Sequence, residues 1–446
     1  MAAKHLSNDA LGILFTDRRK FYLPENTTAE LWTDITPFTT IMANKPVERD
    51  LPDPDYKMFE HRASWFRQSF QAAAAPGAWA TNGSPNELNA DAFAIDNKRG
   101  LGSDASADES LIGLVFEVYN EAKTAYKGIV VVHDVIGGEV KVKSLGNPRD
   151  QTNNRATALA DNDHFVVIGS AIGEGETSPE AFADDLSVVY NSCQIFRTPV
   201  EVTGTLYKAA LRGYSNELAR LRSDKSKEHK MQKEKAFLLG QRAAGIYGSP
   251  GADSVSRGSH IDNKAGKKVR TTMGILSALY RHGSADESNE DQVIYNRAKG
   301  SYTYNNFVDD SEKWFWYEPT SGYKVALCAP GVMSFFAKLN EQGFHKGSQQ
   351  LTLSDLQRDG LGFYFKWMET PHGLVKLVKS PVMRYEYNNH MVMIDEEHVS
   401  MTEYRPMAYE TNIKTENNYD GIKDEYFSDE GLKISMLEAH KLVIFN

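Results

Sequence analysis

The stretch CQIFRTPVEVTGTLYKAALRGYSNELARLRSDKSKEHKMQKEKAFLLGQ, residues 193–241, changes its period halfway along. Up to Thr203 it has β character, with Ile195, Val200 and Val202 among its apolar residues. Beyond residue 204, Tyr207, Leu211, Tyr214, Leu218 and Leu221 recur at steps of four, three, four and three. That spacing marks one face of an α-helix. The charged continuation keeps only Met231, Phe237 and Leu238 as apolar contacts, and no proline falls between Val200 and Ser249. The pattern predicts a single helix from about Thr205 to about Gln241, roughly 55 Å long at 1.5 Å per residue. Few compact enzymes carry so long a helix with one narrow buried face.

Upstream, residues 1–56 read as an arm. Thr27 and Glu30 have capping-box spacing ahead of Leu31 and Trp32, which predicts a short helix. Pro37 suits the first turn of another, with Phe38, Ile41 and Met42 on one face. Residues 49–56 read as an extended linker. Residues 57–72, KMFEHRASWFRQSFQA, alternate aromatics with charges and fit an extended β-arm better than a core helix. Residues 73–110 are too polar to build a core and read as a long surface loop. Strands are predicted over 111–118, 129–135, 140–143 after the Gly137-Gly138 turn, 164–172 and 186–203, with an acidic loop over 173–185.

Downstream, residues 244–268 read as a mobile loop. Val269, Met273, Leu276 and Tyr280 form a helical stripe closed by Gly283. Residues 284–313 are polar and acidic and carry no assigned element. A strand over 323–329 leads into a helix from Pro330 to Gly343. Phe363, Phe365 and Trp367 alternate into a hairpin through Pro371-His372-Gly373. A buried strand over 391–394 follows, and Leu432, Ile434 and Met436, then Val443 and Phe445, alternate near the end.

The 446 residues are 41% hydrophobic, 11% aromatic and 25% charged, with a net charge of −10. That composition excludes wholesale disorder and a nucleic-acid binder that is basic over its whole surface. No apolar run reaches membrane-spanning length. The two cysteines, Cys193 and Cys328, lie in apolar runs and read as buried thiols in a reducing compartment rather than a disulfide scaffold. The apolar patch at 11–15 is too short for a secretory signal, so a cytoplasmic origin is expected.

No catalytic constellation emerges. GEGETS at 173–178 lacks the third glycine of a dinucleotide loop, and its two carboxylates would repel phosphate. There is no H-E-x-x-H and no C-x-x-C. His390 and His398 flank Asp395, Glu396 and Glu397, but the spacing fits no zinc pattern, and a solvated loop is expected. His133, Asp134 and His164 have no nucleophile placed for them. Lys264, Lys267, Lys268 and Arg270 form a basic cluster, either a solvated face or a contact with a partner or DNA. No catalytic, cofactor or metal residue is therefore assigned, and no cofactor is expected.

The order of features, an arm, a β-excursion, a long charged helix and a mixed α/β region, resembles the major capsid proteins of tailed bacteriophages, the Hong-Kong-97 fold. ITPFTTIMANKPV (35–47), the 193–221 run, VRTTMGILSALYRHG (269–283), HGLVKLVKSPVM (372–383), MVMIDEEHV (391–399) and IKDEYFSDEGLKISMLEAHKLVIF (422–445) resemble successive segments of one branch. The resemblance implies an α+β capsid fold. Residues 1–56 would be the N-terminal arm and 57–196 an extended loop with an inserted small β-domain. Residues 197–268 would be the peripheral-domain strand and spine helix, 269–400 mainly the axial domain and 401–446 the returning C-terminal strands.

It further implies a subunit assembled in the host cytoplasm into hexamers and pentamers of an icosahedral virion shell around double-stranded DNA. Portal, scaffolding and cement or decoration proteins would be its partners, with no membrane. The glycine-rich connections at 244–266 would absorb part of a shell expansion. Phe59, Trp65, Phe66 and Phe70 lack an evident core of their own, so they are expected either on a neighbouring subunit or on this chain's β-domain. Phe38 and Ile41 carry the same two readings. A β-rich receptor-binding virion protein and a β-rich hydrolase are the alternatives.

Overall fold

The structure is a computed structural model and describes residues 36–49, 51–61, 69–71, 86–87, 94–95, 111–136, 139–149, 158–175, 186–208, 217–242, 245–247, 260–262, 266–285, 292–346, 352–358, 363–413 and 420–446. Its largest sheet runs in the order Ile294–Arg297, Lys441–Phe445, His390–Ile394, Tyr323–Cys328, Gly373–Lys379, Tyr364–Thr370, Thr352–Leu353, and Gln357–Arg358 pairs with Tyr364–Thr370 from the side. KLVIF, HMVMI and YKVALC are nearly continuous apolar runs because these strands are covered on both faces. The helices Ile275–His282, Tyr304–Trp314 and Pro330–Lys346 contribute to that cover through Ile275, Leu279, Phe307, Trp314, Val332 and Phe336. Tyr323–Cys328 and Gly373–Lys379 are parallel, so the chain must cross over between them, and Pro330–Lys346 lies in that connection.

A three-stranded antiparallel ribbon adjoins this sheet: Gln194–Thr203, Gly421–Ile434 and Val399–Glu410. Along QIFRTPVEVT the buried positions alternate, so Phe196, Thr198, Val200 and Val202 all face inward. The long helix packs on that face and is described over Glu217–Leu239, 23 residues or about 35 Å. A short helix, Gly204–Lys208, precedes it, and residues 209–216 lie outside the described part. Of the stripe predicted for its start, Leu218 is buried with Val200 and Val202, while Tyr207 is exposed.

Close approach fixes how the long helix meets the next one. The Gly274 N–H donates to the Gly240 carbonyl at 2.8 Å. A Cβ on Gly240 would sit 2.3 Å from the Ala236 oxygen, and one on Gly274 would sit 2.7 Å from the Leu238 carbonyl carbon. The helix predicted from Val269 begins only at Ile275, because Lys268–Arg270 pairs instead with His260–Asp262 as a strand. Residues 284–313 hold a strand and a helix that composition alone concealed. Thr303 and Asn306 form a reciprocal capping box for Tyr304–Trp314, with asparagine where a glutamate is the familiar signal.

Between these elements the chain makes a long excursion. Asp55–Glu60 and Ser187–Ser192 leave and return as an antiparallel two-stranded ribbon. Between them lies a seven-stranded sheet whose longer strands are Leu114–Tyr119, Tyr126–Ile136, Glu139–Gly146 and His164–Ser170. Its core of Phe116, Val118, Val130, Val132, Val142 and Phe165 is separate from the main one.

Candidate assembly surfaces

The helix Pro37–Ala43 of the arm packs into the main core. Its first amides have no intrahelical partner. Glu234, on the long helix, accepts both: the Phe38 N–H donates to Oε1 at 3.0 Å and the Thr39 N–H to Oε2 at 2.7 Å. Burial nevertheless pushes the Glu234 carboxyl up to about 7, since removing water costs the charged form more than the amides return. Phe38 is fully buried and Ile41 nearly so, both within the core of this same chain. Of the two readings open for these residues, burial within this chain accounts for both side chains, which belong to the same core cluster as Phe196 and Phe237.

The long helix is fastened to the ribbon by polar contacts more than by an apolar stripe. His229 lies between Thr198 Oγ1 at 3.0 Å and Ser428 Oγ at 3.2 Å, and burial followed by the Lys233 charge pushes it down to about 4. Lys233 Nζ donates to both Glu430 oxygens at 3.0 Å. Arg222 reaches Asp424 at 2.9 and 2.7 Å, and the Tyr409 hydroxyl and Asn412 N–H complete that carboxylate's shell. Burial would raise Asp424, but these donors outweigh it and hold it below the usual range. Of the charged residues along this helix, Lys233 and Glu234 are buried.

Phe59 differs from the arm residues. It sits in the two-stranded ribbon opposite Val188 and is 68% exposed. Leu186, the residue before the partner strand Ser187–Ser192, is also exposed. Phe70 belongs to Ser69–Gln71, paired in register with Phe165, and Trp65 and Phe66 lie outside the described residues. On the seven-stranded sheet, Val115 and Val131 are direct cross-strand partners half-buried on the face away from its core, and Ile168 is exposed.

The acidic cluster near residue 395 is not the solvated loop expected. Asp395 and Glu396 are buried. The Asp395 N–H donates to His440 Nδ1 at 3.1 Å, Glu396 pairs with Lys45 of the arm, and Thr320 donates to Glu397 at 2.9 Å. His390 instead meets the Tyr280 hydroxyl. Among the described residues no three His, Cys, Asp or Glu side chains gather as a metal site. The basic cluster is divided too: Arg270 turns inward to Asp429 at 3.5 Å, Lys267 is exposed, and Lys264 lies outside the described residues. His164 Nε2 meets the Glu121 carbonyl at 3.1 Å. Both cysteines are free and buried, and burial pushes the Cys193 thiol up to about 12. Among the described residues no helix is long and apolar enough to cross a membrane.

A family model described as the SU10 major capsid protein matches residues 33–442. A major capsid protein of Pseudomonas phage PaMx41 is 28% identical over 198 residues, 42% of this chain and 41% of that relative, so the match spans less than half of the relative's length. Among solved structures, the capsid of Myoviridae phage XM1 is similar over 61% of this chain and 81% of its own, with 10% identity and a TM-score of 0.35. The holo-SrpI encapsulin complex from Synechococcus elongatus PCC 7942 is similar over 60% and 77%, with 10% identity and a TM-score of 0.36. Structural likenesses this faint add no weight; the family match extends over nearly the whole sequence, and by it the chain belongs to the SU10 major capsid protein family.

Proposed function

We propose that this chain is the self-assembling subunit of a phage head, forming hexamers and pentamers of an icosahedral shell that encloses double-stranded DNA. Portal and scaffolding proteins would be its assembly partners in the bacterial host. The observation that carries the reading, beyond the family itself, is Phe59. The two-stranded ribbon buries Val189 in this chain's own core yet holds the large Phe59 ring in solvent. A second subunit that covers this ribbon would remove that exposure. Net negative charge suits a container wall, because a polyvalent basic lining would bind packaged DNA tightly and with steep salt dependence. Family membership leaves no ground for the hydrolase or the receptor-binding reading.

Negative-stain microscopy of the purified full chain tests the proposal. Closed shells or five- and six-fold capsomers are expected. A monodisperse monomer at high concentration, with and without its co-expressed scaffolding partner, would overturn it.

A further inference from the structure

Two surfaces of the described chain carry complementary patterns. The first is a groove. Met231, Lys235 and Leu239 repeat every four residues on the long helix and so share a side. With Val382, Arg384 and Glu386 they line an open groove of about 590 Å³. Met231, Leu239 and Val382 supply apolar lining. Lys235, Arg384 and Glu386 are exposed and add two cations and one carboxylate, none of them in an ion pair among the described residues. Beside the groove Tyr385 is 96% exposed at φ +57°, in the left-handed region that a bulky residue seldom occupies.

The second surface lies on the outer edge of the largest sheet. Leu353 pairs with Met368, the Ser354 N–H donates to the Trp367 carbonyl at 2.9 Å, and Gln357 pairs with Phe365. Asp355 and Leu356 are therefore set together against one residue, Lys366. Two residues against one is the count of a β-bulge, which interrupts the ladder and re-aims its side chains. Leu356 is 59% exposed, and Asp355 and Arg358 are exposed on either side of it, neither in an ion pair among the described residues. The bulge thus presents an apolar side chain between a carboxylate and a guanidinium, and the groove presents apolar lining between cations and a carboxylate. The signs oppose at both ends, which is the arrangement that fixes register between partners. The exposure of Leu356 also means that a chain does not fill its own groove.

We propose that the bulge at 355–358 of one copy seats in the groove of a second copy. Leu356 lies on Met231, Leu239 and Val382, Asp355 faces Lys235 and Arg384, and Arg358 faces Glu386. Bulge and groove are different surfaces, so each copy offers one to each of two neighbours, and head-to-tail contacts of this kind close into rings. The inference rests on the self-assembly proposed above and names surfaces that a ring of subunits uses.

The test mixes two full-length variants, Leu356→Cys and Val382→Cys, whose native thiols are both buried. Mild oxidation after co-assembly should give a disulfide-linked dimer that peptide mapping assigns to one chain of each variant, and neither variant alone should give one. Shells in the microscope without that dimer would overturn this contact, leave the groove to a different partner, and leave self-assembly standing. Monomers without it would overturn both readings. Dimers of Leu356→Cys with itself would overturn the contact by making the bulge meet its own copy. A second measurement avoids cysteines. Asp355→Lys should cut shell yield several-fold, and adding Lys235→Asp with Arg384→Asp in the same chain should restore it. A yield indifferent to Asp355→Lys, or a loss that the two added changes fail to reverse, would count against the proposal.

Discussion

Glu234 shows how a single buried carboxyl can tie two distant parts of a chain and set a pH dependence. Its folded pKa of about 7 stands above the ordinary 4.5. Between those values the folded chain holds a proton that the unfolded chain has released, so stability falls as the pH rises through that window. The buried histidines act with the opposite sign. His229 is pushed down to about 4, and His440 is pushed down to about 3 by burial and the nearby His398 charge. Below about 6.5 the unfolded chain takes up their protons and the folded chain does not, so their contribution is lost on acidification. Glu234→Gln separates the two effects. Thermal midpoints of the variant should lack the downward trend between pH 4.5 and 7 that this carboxyl imposes, worth ~3 kcal/mol in the parent. Identical pH trends in both proteins would show that the latch does not titrate. None of this was legible in sequence: Glu234 looks like any charge on a mixed helix, and only the amides of residues 38 and 39, nearly 200 positions away, give it a task.

At the scale of elements, the junction between the long helix and Ile275–His282 depends on two glycines whose backbones touch. Gly274→Ala would drive a methyl into the Leu238 carbonyl and the Gly240 nitrogen, both backbone and neither able to swing aside. The expected cost is about 1–3 kcal/mol, read as a lower denaturant midpoint, whereas Gly300→Ala, with open space around it, should be near neutral. Equal midpoints for the two variants would mean that the junction gives way freely. Elements with a strong period were readable in advance: the strand ending at Thr203, the helix from Pro330, the hairpin through Gly373 and the closing strand. The failures have local causes. Tertiary pairing drew Lys268–Arg270 into a strand despite its helical spacing. Tyr304–Trp314 was hidden by a polar exterior and an unusual cap. On the long helix the predicted apolar residues Leu218, Phe237 and Leu238 are buried, but so are His229 and Lys233, satisfied by Thr198, Ser428 and Glu430, and apolar periodicity cannot report such polar contacts.

For the whole molecule, the distinction that matters is between apolar residues the chain covers itself and those it leaves in water. Phe38 and Ile41 are of the first kind and Phe59 of the second. Phe59→Ser should therefore leave the thermal midpoint of the unassembled chain unchanged while sharply reducing the yield of shells in microscopy. Wild-type shell yield from this variant would remove the ribbon from the interface. Sequence order exposed the family resemblance early because arm, excursion, long helix and α/β region follow one another in a recognisable succession. It could not sort the aromatic residues, since an exposed and a buried phenylalanine look alike until the fold assigns them neighbours. The excursion also leaves and rejoins the rest of the chain at paired residues, Glu60 lying directly across from Ser187, and the sheet beyond them has a core of its own. Such a cassette can be excised and its stem closed by a two-residue Asn-Gly turn, or exchanged for a foreign folded insert whose termini lie equally near, without rethreading any strand of the remaining sheets.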